Sequence, residues 1–171
     1  MEILDIYDKY RKRTGKTYPR KEPIPAGGLR LIVHILIFND KGELLIQQRA
    51  DHKKMGGLWD LTCGGACQAG ENSFEGARRE LKEELGLDFD FTSIRPILTA
   101  NFDQGFDDFF LLKKNLEIND LKLQKEEVKA ARWASRAEVL DLLSKGKFVK
   151  YKKSYLDLLF DLNDDRDFMK Y

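Results

Sequence analysis

The stretch that decides the fold is residues 65–87, GACQAGENSFEGARRELKEELGL, in which acidic residues stand at fixed offsets along a predicted helix. Asn72 or the serine after it offers an N-cap, and Asn72 with Glu75 has the spacing of a capping box. Gly86 stands where a left-handed residue would close the helix. The sequence therefore predicts a helix that begins near residue 73 and runs to residue 85.

The carboxylates of this helix gather on one face. Glu80 and Glu84 are four residues apart and Glu83 flanks the same stripe, so the three lie within about one turn. Such crowding is unfavourable unless a cation lies between them, and clustered carboxylate oxygens suit Mg²⁺ or Mn²⁺. Arg79 can pair with Glu83 or reach back to Glu71. The pattern predicts a divalent-metal site.

Two glycines stand before this helix. Gly64 and Gly65 are expected to open a loop whose backbone passes close to a ligand or metal, because neither residue carries a Cβ. Most helices rich in Glu, Lys and Arg are simply solvated and bear surface ion pairs. The paired glycines and the placement of Glu71 favour the metal site over that interpretation.

The same stretch resembles the signature of the Nudix hydrolases, which is Gly, five residues, Glu, seven residues, then Arg-Glu-aliphatic-any-Glu-Glu-any-Gly-aliphatic. All of its places are filled, in order by Gly65, Glu71, Arg79, Glu80, Leu81, Glu83, Glu84, Gly86 and Leu87. The resemblance implies an α/β fold, the Nudix fold, in which a mixed β-sheet is sandwiched between helices as α/β/α. The predicted order of strands and helices agrees with it.

The resemblance also implies roles for individual residues. The implied metal ligands are the carbonyl of Gly64 and the side chains of Glu80, Glu83 and Glu84. Of these, Glu83 either binds the metal or lies beside it. Glu71 is expected to orient Arg79 and the loop. Family members differ in which Glu deprotonates the attacking water, and Glu80 is the first candidate for that base.

Charged residues outside the motif are expected to complete the site. Arg49 and Lys53 stand just before a predicted strand and could reach a diphosphate. Glu126 and Glu127 precede the last predicted strand, where many Nudix relatives place a metal ligand or the base. Which of the two joins the site is left open, and Glu127 is taken forward as the catalytic candidate.

A longer resemblance, over the first half of the chain, is to the Nudix proteins similar to isopentenyl diphosphate isomerase. It rests on EILDIYDKYRKRTG, on IFNDKGELLIQQRADHKK and on the helix stretch itself. In this branch Arg49 and Lys53 match residues that hold the diphosphate. A true isomerase also needs a cysteine, a metal-binding His beside it and a second His, and those places hold Gly64, Ala66 and Arg30 here.

These observations predict a metal-dependent hydrolase, with Mg²⁺ or Mn²⁺ as cofactor, that cleaves a diphosphate linkage in a nucleoside diphosphate derivative. Isomerase-type activity is the alternative, which the missing cysteine disfavours. A non-catalytic nucleotide-binding sensor is a third possibility. Such sensors usually lose the glutamates of the motif or carry a DNA-binding domain, and neither sign is present in this sequence.

Chain length, net charge and the two cysteines limit the class of protein. A chain of 171 residues predicts a single body over residues 29–171, with residues 1–28 as a strand or hairpin extension packed on it. A net charge of +1 gives no electrostatic reason to expect a nucleic-acid polymer or a membrane as partner. The Nudix resemblance implies a small-molecule diphosphate as partner, and many members of that family are homodimers. A cytoplasmic location is expected, with Cys63 and Cys67 as reduced thiols.

The rest of the secondary structure follows from apolar runs and turn signals. Residues 29–38 predict a buried strand, with residues 44–49 as its hairpin partner. Further strands are predicted at residues 58–62, 89–101, 106–113 and 130–134. Ser135 is predicted to cap a helix through residue 143, and a last helix is predicted over residues 152–162.

Overall fold

A computed structural model of the chain describes residues 2–164, so residues 165–171 of the predicted 29–171 body lie outside the described residues. The strands are β1 (Ile3–Tyr7), β2 (Arg13–Pro19), β3 (Arg30–Phe38), β4 (Leu44–Arg49), β5 (Trp59–Asp60), β6 (Cys63–Ala66), β7 (Leu98–Phe102), β8 (Gly105–Lys113) and β9 (Val128–Ala134). The helices are α1 (Ser73–Leu85), α2 (Arg136–Ser144) and α3 (Lys153–Asp164), with short 3₁₀ turns at Phe91–Ser93 and Ile118–Asp120.

The main sheet is mixed. Its strands run in the order β5-β4-β3-β8-β7, while β6 also pairs with β3, and β9 with β4. Strand β3 is parallel to β8 from Arg30 opposite Gly105 to Phe38 opposite Lys113. Its pairs with β4 and β6, like those between β4 and β9 and between β7 and β8, are antiparallel.

Both faces of this sheet are covered, which explains why β3 is apolar along nearly its whole length. Val33, Ile35 and Ile37 pack with the apolar stripe of α1 on one face. Leu36 and Phe38 pack with residues of α2 and α3 on the other. The predicted α/β/α sandwich is therefore confirmed.

Helix α1 begins and ends where its sequence predicts. The Asn72 side chain accepts hydrogen bonds from the backbone of Phe74 and Glu75, and the Glu75 side chain closes the capping box. Gly86 ends the helix in the left-handed region, with φ of 71°. Helix α2 begins with a second predicted capping box, between Ser135 and Glu138. Local side-chain chemistry therefore sets these helix ends.

The predicted hairpin of β3 and β4 is only partly present. The two strands pair at Phe38 and Leu44 alone. Over its length β4 instead pairs with β9, from Leu44 opposite Ala134 to Arg49 opposite Val128. The long-range partner of β4 could not be read from neighbouring residues.

Gly64 and Gly65 lie in strand β6 rather than in the predicted loop. The predicted strand at residues 58–62 is reduced to β5, and β6 follows it. Gly64 stands opposite His34 in the pair with β3. A Cβ on Gly64 would lie 2.4 Å from the Val33 carbonyl oxygen, so the absent side chain permits this close pairing.

The predicted strand over residues 89–101 is wrong in its first half. Asp90 caps the 3₁₀ turn at Phe91–Ser93 by accepting from the Thr92 backbone N–H. Pro96 follows and has no N–H to offer a sheet. The strand β7 therefore begins only at Leu98.

The N-terminal strands β1 and β2 form a separate antiparallel pair. Leu4, Ile6 and Tyr18 pack with Ala66 of β6 in a small apolar cluster. The boundary between residues 28 and 29 stays a prediction. No helix in the described part of the chain is both long and apolar enough to cross a bilayer.

Candidate active site

A polar cleft collects most of the predicted site residues. Its lining consists of Glu2, Arg20, Arg49, Lys53, Gly64, Arg79, Glu80, Glu83, Glu84, Gln124 and Glu127. Of the predicted residues, Glu71 lies behind the lining, where it contacts Arg79. Glu126 is exposed and also lies outside the lining.

Arg79 ties the acidic residues of the motif together. Its Nε and Nη2 donate to the two carboxylate oxygens of Glu71, at 2.7 and 3.0 Å. Its Nη1 donates to Glu80 at 2.9 Å and to Glu83 at 3.1 Å. Both partners predicted for Arg79 are therefore used at once.

Glu71 is held as a carboxylate. Burial acts to raise its pKa, but the hydrogen bonds from Arg79 and from the Gln68 backbone outweigh burial, and the pKa lies below its ordinary value. An ionised Glu71 can hold the Arg79 guanidinium at a fixed place beside the cleft.

Glu80 and Glu84 project from α1 into a poorly solvated place, and each is less than a tenth exposed. Burial, together with the nearby charge of Glu80, raises the pKa of Glu84 to about 8. Burial also raises the pKa of Glu80, against the opposing effect of Arg79. Glu83 is about half exposed, at 48%. The two buried carboxylates repel each other.

The donor set fits a hard divalent cation. Within residues 2–164, no three His, Cys, Asp or Glu side chains are already arranged as a metal centre. Gln47 donates its Nε2 to Glu84 at 2.9 Å, while its Oε1 is buried without a partner. A cation would relieve the repulsion between Glu80 and Glu84, and oxygen is the donor that Mg²⁺ and Mn²⁺ prefer.

Gly65 lets β6 pass against the helix. A Cβ on Gly65 would lie 2.3 Å from Oε1 of Glu80. Any larger residue there would push the Glu80 carboxylate aside. The first glycine of the motif is therefore explained by contact with a side chain, and not by an unusual backbone angle.

Arg49 and Lys53 bring positive charge to the cleft. Arg49 Nη1 donates to Asp60 Oδ2 at 3.0 Å, and Arg49 Nε donates to the Lys54 carbonyl at 3.1 Å. Lys53 forms an ion pair with Glu127. The structure thus brings Glu127, rather than Glu126, to the predicted diphosphate-binding residues.

Sequence reasoning missed Glu2, Arg20 and Gln124. Arg20 follows strand β2 and forms an ion pair with Glu2, which precedes β1. Gln124 is placed by its backbone N–H, which donates to the Glu84 carbonyl at 3.0 Å. No local spacing marks these residues, because the packing of the N-terminal strands and of the segment before β9 brings them to the cleft.

Neither cysteine faces the cleft. Cys63 lies in the apolar core beside Leu81, and burial raises its pKa well above the ordinary value. Alternation along β6 directs the side chain of Cys63 to the opposite face from position 64. Both cysteines are free, as predicted. Cys63 therefore does not replace the cysteine that the resemblance to the isomerases would require at position 64.

Comparison with known proteins gives consistent matches. The NUDIX domain matches residues 28–158. A protein of Listeria monocytogenes, named as an uncharacterized Nudix hydrolase, is 41% identical over 165 residues, which cover 96% of each chain. An isopentenyl-diphosphate Delta-isomerase of Halorhodospira halophila is 38% identical over 98 residues, which cover 57% of this chain and 54% of its own.

The fold is also similar to solved structures. The crystal structure of DR0079 from Deinococcus radiodurans covers 92% of this chain and 98% of its own, with a TM-score of 0.76. Because the two sequences are only 23% identical, this likeness shows the fold alone.

Proposed function

The chain belongs to the NUDIX family of hydrolases, and on that premise we propose that it hydrolyses a diphosphate linkage in a nucleoside diphosphate derivative with Mg²⁺ or Mn²⁺ as cofactor. The observation that carries this proposal is the cleft itself. Its lining contains both the buried carboxylates of Glu80 and Glu84 and the cations Arg49 and Lys53. A phosphoanhydride needs both, because the metal and the cations together neutralise its oxygens.

The metal would be held by Glu80, Glu84 and the Gly64 carbonyl, with Glu83 at the exposed side. When bound there, a divalent cation neutralises phosphate oxygens and lowers the pKa of water. Glu71 acts through Arg79, whose guanidinium steadies the carboxylates of Glu80 and Glu83.

The protein's own residues divide the remaining work. Arg49 and Lys53 bind the diphosphate, Arg49 through its planar set of N–H groups and Lys53 as a point charge. A bound diphosphate competes with Glu127 for Lys53, which leaves the Glu127 carboxylate free to accept a proton. We assign Glu80 as the first candidate for the base that takes the proton of the attacking water, and Glu127 as the second.

Isomerase-type activity is the weaker alternative. The matched protein of Halorhodospira halophila carries that name. In this chain, however, Gly64 occupies the cysteine place and Cys63 is buried in the core. A sensor without catalysis would not require the full set of ionisable groups that line the cleft. Homodimer formation and the cytoplasmic location stay predictions.

The test is release of phosphate, coupled to a phosphatase or pyrophosphatase, from a panel of substrates. The panel contains nucleoside di- and triphosphates, sugar nucleotides, dinucleoside polyphosphates and isopentenyl diphosphate, each with Mg²⁺, with Mn²⁺ and with EDTA. Metal-dependent release from a nucleotide supports the proposal and names the substrate class. Conversion of isopentenyl diphosphate to its isomer, without release from any nucleotide, would establish the alternative.

A further inference from the structure

The buried carboxylate of Asp60 holds the guanidinium of Arg49. Asp60 lies in β5 and is 7% exposed. Its Oδ2 accepts from Arg49 Nη1 at 3.0 Å. Its Oδ1 accepts from the Leu61 backbone N–H at 2.8 Å and from the Tyr151 hydroxyl at 3.1 Å. Because both oxygens of Asp60 accept hydrogen bonds, the carboxylate is held in a single orientation. The carboxylate in turn fixes the direction of the Arg49 guanidinium.

Tyr151 is fixed in turn by the backbone around it. It lies between α2 and α3, in a segment that is pinned to β5. The Trp59 N–H donates to the Lys147 carbonyl at 2.9 Å, and the Val149 N–H donates to the Trp59 carbonyl at 2.8 Å. The ring of Tyr151 stacks on Tyr155. The hydroxyl of Tyr151 therefore stands at a defined place beside Asp60.

The far side of the Tyr151 hydroxyl meets a second polar pair. His34 Nε2 lies 3.5 Å from the hydroxyl oxygen. His34 Nδ1 lies 2.9 Å from each carboxylate oxygen of Asp107, and the His34 ring stacks on Phe109. The chain of contacts thus runs from the cleft, through Asp60 and Tyr151, to a histidine that stacking and hydrogen bonding hold in place.

Some N–H donors of Arg49 make no hydrogen bond to Asp60 or Lys54. Its Nε is bound to the Lys54 carbonyl and one N–H of its Nη1 to Asp60. A guanidinium has five N–H donors, so the others remain for a ligand in the cleft that Arg49 lines. An arginine that is already oriented loses less freedom when it binds a diphosphate.

We propose that Asp60, itself held by Tyr151, is a positioning residue that orients Arg49 for the diphosphate of the substrate. The inference rests on the proposed function, since it needs a diphosphate in the cleft. A positioning role for Asp60 differs from a purely structural one in that the effect of Asp60 on diphosphate binding requires Arg49.

The test uses the full chain and imidodiphosphate, a diphosphate mimic, titrated calorimetrically in the presence of Mg²⁺. Asp60→Asn keeps the size of the side chain but loses the charge, and we expect binding roughly tenfold weaker, as for loss of a charge-assisted hydrogen bond. Tyr151→Phe removes one hydroxyl donor to Asp60 but leaves the carboxylate and its contact with Arg49 in place, and we expect binding roughly two- to fivefold weaker. Tyr155→Phe is the matched control, because within the described residues the Tyr155 hydroxyl makes no hydrogen bond. This variant should bind imidodiphosphate as tightly as the wild type does.

Each substitution is repeated in an Arg49→Met background. If Asp60 acts through Arg49, Asp60→Asn causes no further loss there. A further loss of similar size would show that Asp60 is only structural and would overturn the inference. Should Asp60→Asn fail to fold in a thermal melt, Tyr151→Phe carries the same comparison.

The two proposals fail in different ways. If the wild type binds imidodiphosphate and Asp60→Asn binds it equally well, the positioning role is wrong and the proposed function stands. If the wild type neither binds imidodiphosphate nor hydrolyses any member of the nucleotide panel, both are wrong.

Discussion

Glu80 and Glu84 are buried, although carboxylates are generally more stable in water. Both are buried on the same helical turn, and burial raises the pKa of each, to about 8 for Glu84. Ionisation of these buried carboxyls is unfavourable without a cation, so the protein without metal carries a local destabilisation at this place. Carboxyls buried at such a cost are the ones expected to bind a cation.

Glu84→Gln is expected to abolish hydrolysis and to stabilise the metal-free protein. The substitution removes a metal ligand, yet it also removes a carboxyl whose ionisation is opposed by burial and by the charge of Glu80, and it supplies an amide that can donate to the unpaired Oε1 of Gln47. We expect a gain of about 1 kcal/mol, or about 2–4 °C in melting temperature. The measurements are turnover with Mg²⁺ and thermal melts in EDTA. Unchanged turnover would show that the metal site is wrongly assigned.

Glu127→Gln and Glu126→Gln form a matched pair for the second acidic position. Only Glu127 lines the cleft, where it is paired with Lys53. We expect Glu127→Gln to lower kcat roughly 10²-fold or more, because the amide cannot accept a proton in place of the carboxylate. Glu126→Gln should change kcat by less than about twofold, as for an exposed substitution. Equal effects of the two substitutions would remove Glu127 from the mechanism.

At the scale of elements, the site depends on how β6 meets α1. The capping box at Asn72 and the left-handed Gly86 set the ends of α1. The absent side chain of Gly65 then lets the Glu80 carboxylate lie in contact with β6. Helix propensity alone would not place the carboxylates, because their position in space depends on this contact as well as on the helical repeat.

Gly65→Ala tests this contact. The added Cβ would overlap the Glu80 carboxylate, so we expect a stability loss of about 1–3 kcal/mol and a loss of activity of up to roughly 10²-fold. The measurements are urea denaturation and turnover well below the melting temperature. Asn72→Ala is the control, since it costs about 1 kcal/mol by loss of the cap but touches no cleft residue. Its kcat should stay near that of the wild type, and an equal loss in both variants would attribute the effect to stability alone.

At the scale of the whole molecule, the N-terminal strands complete the cleft. Arg11, between β1 and β2, forms an ion pair with Asp108 of β8, whose side chain is fully buried. Thr99 also donates to Asp108, at 2.7 Å. This contact ties the N-terminal pair of strands to the main sheet, and the same pair of strands carries Glu2 and Arg20 to the cleft.

Arg11→Met is expected to destabilise the fold by about 2–3 kcal/mol. The substitution leaves the Asp108 charge buried without its cation, and the partial exposure of Arg11 places the loss below that of a fully buried pair. Urea denaturation measures the difference in unfolding free energy. Asp108→Asn in the same chain should restore part of the stability because it removes the uncompensated charge. A double variant no more stable than Arg11→Met would contradict this account.

Much of the fold and of the candidate site could be predicted from local sequence. Helix α1, its caps, its buried stripe and the common face of Glu80 and Glu84 follow from offsets of three and four residues and from capping chemistry. The main strands β3 and β8 follow from apolar runs. The family follows from the same stretch, because the motif is a spacing of residues within one segment.

Tertiary structure alone decided the rest. The pairing of β4 with β9, the strand conformation of Gly64 and the choice of Glu127 over Glu126 depend on residues far apart in the chain. The position of Arg20 in the lining of the cleft also depends on contacts between residues far apart in the chain. Such contacts form when apolar surfaces of separate elements are buried together, and no periodicity within one segment specifies which surfaces meet.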